Sequence, residues 1–422
     1  MPTPKKKQAP GGTTKPKASS AREVVVRMYN VGFGDAFLVR ISDGTGERKI
    51  LFDCGSIEAA DGIPMKSIVD RIFQDATDSD GVARIDVVVT HRHKDHVSGF
   101  GQAAWQQVHV QEVWMPWTEH PTDPAARKIR DVQARLALGL QAALAARSGT
   151  VGPNEKRYQD IVANALMLSN DKAMKTLRGG FVGNPLRRFL PAKSGTDGDR
   201  TLETGVLPGV KVHVLGPSRD PDVIRDMDPP SGESYLRMNG AWTNGAAASP
   251  APFPREFRQD TASSGVILAP NDLDRIHRAG SLSDLAVAVA LDKAVNGTSL
   301  MLVLEVAGTF LLFPGDAQWG TWNAVLKDPQ WKDMLTRVAF YKIGHHGSHN
   351  ATPKDFVEDM VPDGICAMAS TLTRQVWPDI PKPDLLTALA THKATVARSD
   401  RETEAGPNFR ADKGGIEARI AL

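Results

Sequence analysis

Cysteine is nearly missing from this chain: Cys54 and Cys366 are the only two in 422 residues. A disulfide framework is therefore excluded as the source of stability, and a reducing, cytoplasmic setting is the simpler expectation. No apolar run reaches the length of a bilayer span, so a soluble chain with no membrane attachment is expected. The opening MPTPKKKQAPGGTTKPKASS has positive charge but no apolar centre, which excludes a secretory signal. Residues 1–22 read instead as a disordered basic tail. Net charge is only +2, so any attraction to a polyanion must come from a local patch. No repeat of fixed period occurs, which excludes a solenoid.

What is present alternates between β runs and helices. REVVVRMYNVGFGDAFLVRISDG reads as two β runs around a glycine turn, and KILFDCG as a further strand. Met65, Ile68, Val69 and Ile72 share a helical face, and ARIDVVVT is a strand buried on both sides. A helix opens near Asp123 with Pro124 in its first turn, and Ile129, Val132, Leu136 and Leu140 make its apolar stripe. A second helix is expected around YQDIVANALMLS. The segment from Lys172 to Lys193 then carries Lys172, Lys175, Arg178, Arg187, Arg188 and Lys193 with no acidic residue between them. Residues 218–280 are rich in Pro, Gly, Ser and Asp and show no periodicity, as in a long inserted loop. Beyond them TSLMLVLEVAGTFLLFPGDA reads as a hairpin, WGTWNAVLKDPQWKDML as a helix, RVAFYKIG and GICAMAS as strands, and PKPDLLTALATHK as a late helix.

Histidine is scarce but clustered. Of 11 in the chain, His91, His93 and His96 fall in THRHKDHVSGFG, and His345, His346 and His349 in GHHGSH. Neutral imidazole is the commonest protein metal ligand, and a carboxylate such as Asp95 completes such sites. Two imidazoles one residue apart on a loop can turn to one cation, while Asp95 and His96 face a second beside it. Oxygen and nitrogen donors without thiolate suit Zn²⁺, Mn²⁺ or Fe²⁺. Asp316, in PGDA at a strand end, is either a further ligand or a turn residue capping the next helix.

These stretches resemble the metallo-β-lactamase superfamily, whose hallmark is His-x-His-x-Asp-His after a buried strand. More narrowly they are similar to the hydrolase domain of ComEC/Rec2 DNA-uptake proteins and its stand-alone relatives. NVGFGDAFLVR (30–40), ILFDCGS (50–56), NGTSLMLVLEVAGTFLLFPGDA (296–317) and YKIGHHGSHNATP (341–353) follow in the order of that group's motifs. The resemblance implies a four-layer αββα sandwich. Its N-terminal half would occupy 23–120 and its C-terminal half 206–422, the latter interrupted by the polar loop at about 218–280. A helical, basic insertion would fill 121–205. It also implies two divalent metal ions, zinc or manganese. His91 and His93 would hold the first, Asp95 and His96 the second, with Asp316 bridging. His346 would complete the second, with His345 as the alternative. Asp53 would prop the site from behind, and Ser348 or His349 would meet the substrate or its leaving group. Two features depart from the pattern. The strand VKVHVLGP ends without the usual histidine, His213 lying mid-strand, and Ile380 and Lys382 stand where a late His-Pro-His is common.

The expected chemistry is hydrolysis by a hydroxide shared between two cations. The resemblance and the basic 172–193 segment favour a phosphodiester, with DNA or RNA as substrate and an activating protein partner as a further possibility. A small-molecule hydrolase acting on a lactone, thioester or cyclic nucleotide is the alternative, with the polar loop as a lid. A catalytically reduced binding module is the third reading, motivated by the missing ligands.

Overall fold

A computed structural model of the chain describes residues 22–42, 46–147, 170–193, 200–227, 229–230, 291–348, 351–373, 379–404, 406, 408–412 and 414–422. The basic tail, the expected helix around YQDIVANALMLS, most of the polar loop and His349 lie outside them.

Two mixed β-sheets face each other. The first runs β14 (Phe409–Asp412), β15 (Gly415–Ala421), β1 (Glu23–Tyr29), β2 (Phe37–Ser42), β3 (Glu47–Phe52), β4 (Arg84–Val88), β5 (His109–Pro116), β6 (Leu186–Leu190). The second runs β13 (Thr395–Arg398), β12 (Cys366–Ala369), β11 (Val338–Lys342), β10 (Thr309–Phe313), β9 (Met301–Val306), β8 (Val210–Gly216), β7 (Thr201–Glu203). Strands β3 to β6 are parallel to one another, as are β10 to β13, while the remaining pairings are antiparallel.

Alternation along the strands explains the layering. In β2, Phe37, Val39 and Ile41 point between the sheets while Leu38 points outward. In β9, Leu302, Leu304 and Val306 point inward while Met301 and Val303 point outward. Each sheet thus has two apolar faces and needs a cover on the outside. Helix Met65–Ala76 covers the first with Ile68, Val69 and Ile72. Helices Trp319–Lys327, Pro329–Leu335, Lys354–Asp359 and Pro383–Thr391 cover the second. The result is an α/β sandwich of four layers. The expected single helix at 319–335 is two, because Pro329 cannot continue the first and Asp328 caps the second by accepting the Gln330 N–H at 2.9 Å.

The segment 121–205 is not wholly helical. Helix Pro124–Arg147 begins as expected, Asp123 Oδ1 accepting the Ala125 and Ala126 N–H groups at 2.9 and 3.2 Å. Residues 186–190, however, form β6 and extend the first sheet. Leu-Arg-Arg-Phe-Leu becomes a strand because Arg188 makes a two-pronged ion pair with Glu112 of β5, both contacts at 2.7 Å.

The sheets are joined at the level of the functional residues. Phe52 and Phe313 stack with ring centroids 4.0 Å apart and planes 9° from parallel. Each is the last residue of its strand, so the stack sets how Asp53 and the 314–316 turn approach each other. Phe52→Ala is expected to cost about 3–5 kcal/mol in urea unfolding, the usual penalty for emptying a buried phenylalanine site. A cost below about 1 kcal/mol would show that the sheets register without the stack.

Candidate metal centre

Strands from both sheets end at one place. β3 is followed by Asp53, β4 by Val89, Thr90 and the 91–96 loop, β10 by the 314–316 turn, β11 by the 344–347 turn, and β12 by Ser370. These strands are parallel within each sheet, so all open at their C-terminal ends, where α/β folds gather ligands.

The 91–96 loop is gripped from two sides. The Asp35 N–H donates to the Asp95 carbonyl at 2.9 Å and the Cys54 N–H to the His96 carbonyl at 2.8 Å. Gly55 permits this, since a Cβ there would lie 2.5 Å from the Asp95 carbonyl carbon. On the other sheet His345 and His346 both adopt left-handed backbone, with φ of 45° and 55°. Such a pair costs about 1–3 kcal/mol per residue and persists because other contacts fix it. The His345 N–H donates to Asp316 Oδ1 at 3.1 Å, and Ser370 holds His346.

Four imidazoles are held on one nitrogen by a neighbour outside the cluster, and turn the other nitrogen inward. His91 Nδ1 lies 3.1 Å from Thr90 Oγ1, His96 Nδ1 2.8 Å from Asp53 Oδ2, His346 Nδ1 2.8 Å from the Ser370 carbonyl, and His345 Nδ1 2.8 Å from Ser348 Oγ. Their Nε2 atoms converge. That of His96 is 3.1 Å from Asp316 Oδ2, those of His91 and His345 are each 3.9 Å from the same oxygen, and that of His346 is 3.1 Å from Asp95 Oδ2. His93 completes the set in the opposite sense. Its Nδ1 faces His91 Nε2 at 3.0 Å, and its Nε2 points to Asp292 Oδ1, 3.8 Å away. Two triads arise whose donor atoms lie within 4.8 Å of one another: His91, His96 and Asp316, and Asp95, His96 and His346. A third, Asp35, Asp53 and His96, already has a cation beside it, because Lys342 ion-pairs with Asp35.

Burial sets the charge states. It pushes His91 well below the usual imidazole range, His93 down to about 4, and His345 down as well, so these rings are neutral. At His96 burial is outweighed by Asp316, Asp95 and Asp53, and at His346 by Asp95, Asp35 and Asp316, so both rings are raised. Burial alone would raise Asp95 and Asp316. The adjoining His96, with His346 for Asp95 and His345 for Asp316, holds both carboxyls below the ordinary range. Burial, reinforced by Asp95 and Asp316, pushes Asp292 up to about 7.

His91, His93, Asp95, His96, Asp316, His345 and His346 therefore meet in one cluster, with Asp53 behind it. Asp316 does not cap the helix that follows; Gln318 stands at that position. Ser348 orients His345. His213 is outside the cluster and bonds Glu305 at 2.8 Å. The basic segment divides. Arg188 is spent on Glu112, Arg178 on the buried Glu119 at 2.5 Å, and Arg187 donates to the Leu177 and Pro185 carbonyls, both at 2.8 Å. Arg178 and Arg188, both expected to hold substrate, each ion-pair with a buried carboxylate, Glu119 in the turn after β5 and Glu112 of β5. Lys172, Lys175 and Lys193 are exposed.

Three participants escaped the sequence reading. Asp35 stands inside the quoted Gly-Asp-Ala stretch, and Lys342 directly precedes the second histidine turn, so position alone could have suggested them. Asp292 carries no such signal. No protein-family model matches the chain, and no curated protein sequence does.

Two outcomes follow from this geometry. His96 and His346 are both raised by the carboxylates around them, so a proton competes with Zn²⁺ for their ring nitrogens. Zn²⁺ affinity is therefore expected to rise with pH, and calorimetry in buffers of different ionisation enthalpy is expected to read proton release on loading. Asp53→Ala removes the anchor of His96 and is expected to weaken Zn²⁺ binding about 10–100-fold. Unchanged affinity would assign Asp53 to folding alone.

Proposed function

We propose that the chain is a metal-dependent hydrolase of the metallo-β-lactamase type, acting on phosphodiester bonds of DNA or RNA with two zinc or manganese ions. The observation that carries this reading is the arrangement of imidazoles, four of which are held from outside and aimed at the Asp95 and Asp316 carboxylates. Left without cations, such a cluster wastes buried polar atoms: among the described residues Asp95 Oδ1 and His93 Nε2 have no hydrogen-bond partner. The donor set fits. His91 Nε2 and His93 Nδ1 would hold one ion, and Asp95, His96 Nε2 and His346 Nε2 the other, with Asp316 shared.

Bound there, the ions supply Lewis acidity at a phosphoryl oxygen and a water acidic enough to attack near neutral pH. The chain supplies the rest. Asp53 and the Ser370 carbonyl fix the tautomers of His96 and His346, leaving both Nε2 lone pairs inward. Thr90 Oγ1 donates to Asp53 Oδ2 at 2.6 Å and also touches His91, linking the two halves of the donor set. Lys342, 3.7 Å from Asp316 Oδ1, offsets carboxylate charge that would otherwise overfill the site. The phosphodiester assignment is supported by the order of the motifs and by exposed lysines beside the cluster. Lys172 packs against Gly101, just past the histidine loop.

The test is cleavage of supercoiled plasmid, linear DNA and RNA with Mn²⁺, Zn²⁺ or Mg²⁺. Cleavage is expected to need the metal, to stop in EDTA, and to be lost in the Asp95→Ala, Asp316→Ala double variant. A folded, metal-loaded protein that leaves every polynucleotide intact would overturn the substrate assignment. A protein that binds no divalent ion would overturn the whole reading.

A further inference from the structure

Strands β4, β5 and β6 are parallel neighbours, and their register continues past the sheet. Val88 pairs with Trp114 and Trp114 with Arg188, while two residues on Pro116 pairs with Leu190. Thr90 is thus level with Pro116 and Leu190, and three loops leave the sheet side by side: the histidine loop, residues 117–123 and residues 191–193. Strand spacing puts the third about 10 Å from the first. The first two are tied together, because Arg92 of the histidine loop lies 3.9 Å from Glu119, which also takes Arg178.

Beyond Glu119 the second and third loops enclose a cavity of about 430 Å³. Arg187, Lys193 and Arg219 line it against a single carboxylate, Asp123, and Phe189 and His120 line it too. Three fixed cations to one anion is an excess that the cavity does not neutralise from within. Asp123 is committed to Arg219, whose guanidinium also lies 4.5 Å from the Trp117 ring centroid and is thereby held flat. Arg187 is held by the Leu177 and Pro185 carbonyls and contributes charge rather than a free donor, while Lys193 is exposed. Phe189 and His120 meet edge to face with centroids 4.7 Å apart. Cations beside an aromatic pair, in a cavity large enough for a nucleotide, match what a nucleic-acid strand offers: a phosphate and a base face.

We propose that this cavity is a phosphate subsite for a polynucleotide strand whose neighbouring bond lies at the metal centre. The proposal rests on the hydrolase reading and adds where the strand is held. Lys193 and Arg219 take the phosphate oxygens as point and planar donors respectively, and Phe189 offers its ring to the adjoining base. Sequence preference is not expected, because no donor set here reads a base edge. The phosphate could be an internal diester or a 5′-terminal monoester, which share this chemistry.

Fluorescence anisotropy with 3′-labelled oligothymidylate separates these, using the full-length protein in EDTA so that no strand is cut. Lys193→Glu and Arg219→Gln are each expected to weaken binding about 10-fold and to lower the log–log salt slope by about one. Equal losses on 5′-hydroxyl and 5′-phosphate strands indicate an internal diester; a loss confined to the 5′-phosphate strand indicates an end-binding pocket. Both outcomes support the subsite. Wild-type binding that neither variant changes, in affinity or in salt slope, overturns it while leaving the hydrolase reading intact. Wild-type protein that binds no strand also overturns it. Zn²⁺ stoichiometry, measured on the same variants before EDTA is added, and melting temperature report separately on the metal centre and on folding.

Discussion

The constraint from which the rest follows is the burial of negative charge. Asp35, Asp53, Asp95 and Asp316 are each at most 2 % exposed and share one junction. Carboxylates taken out of water in such numbers destabilise a fold unless positive charge and hydrogen bonds come with them. The chain brings Lys342, two raised imidazoles and a ring of backbone and hydroxyl donors. That supply is enough to let the protein fold, yet it leaves polar atoms without partners. Buried His and Asp groups arranged in this way could hold a metal ion.

The two-sheet architecture is what allows such a cluster to exist. Neither sheet alone supplies the two triads His91, His96, Asp316 and Asp95, His96, His346, each of which draws on both. Asp53 and the 91–96 loop come from the first sheet, Asp316 and the 344–347 turn from the second, and apolar packing between the sheets brings them into register. Hydrophobic burial supplies the energy and the paired phenylalanines supply the alignment. The charged groups then sit at the rim of the core, where strands end and backbone groups are free to hold them.

Much of this was legible in the sequence, and the limits have physical causes. His91 to His96 are contiguous, so their joint role could be read directly from one loop. Asp316, His345 and His346 were found because turn residues surround them in recognisable stretches. Asp292 was not, since a lone aspartate in LDKAVNG has no local pattern and meets His93 only through tertiary packing. Charge misled for a related reason. Arg178 and Arg188 look solvated in sequence because Glu119 and Glu112, which neutralise them, lie 59 and 76 residues away. Lys193 has no such partner among the described residues, and its pocket neighbour Arg219 comes from beyond the basic segment altogether.

The pairing of β1 with β15 gives the molecule a temporal order. Glu23 lies opposite Ala421, so β1 is flanked on one side by a strand almost 400 residues further along the chain. Until that partner emerges, β1 presents an unpaired edge, and Arg27 lacks Asp412 and Glu417, two of the carboxylates that surround it. Contacts of such long sequence separation form late and slowly. The histidine loop precedes in sequence every strand of the second sheet and both β14 and β15 of the first, so its enclosure waits on chain that follows it by up to some 300 residues.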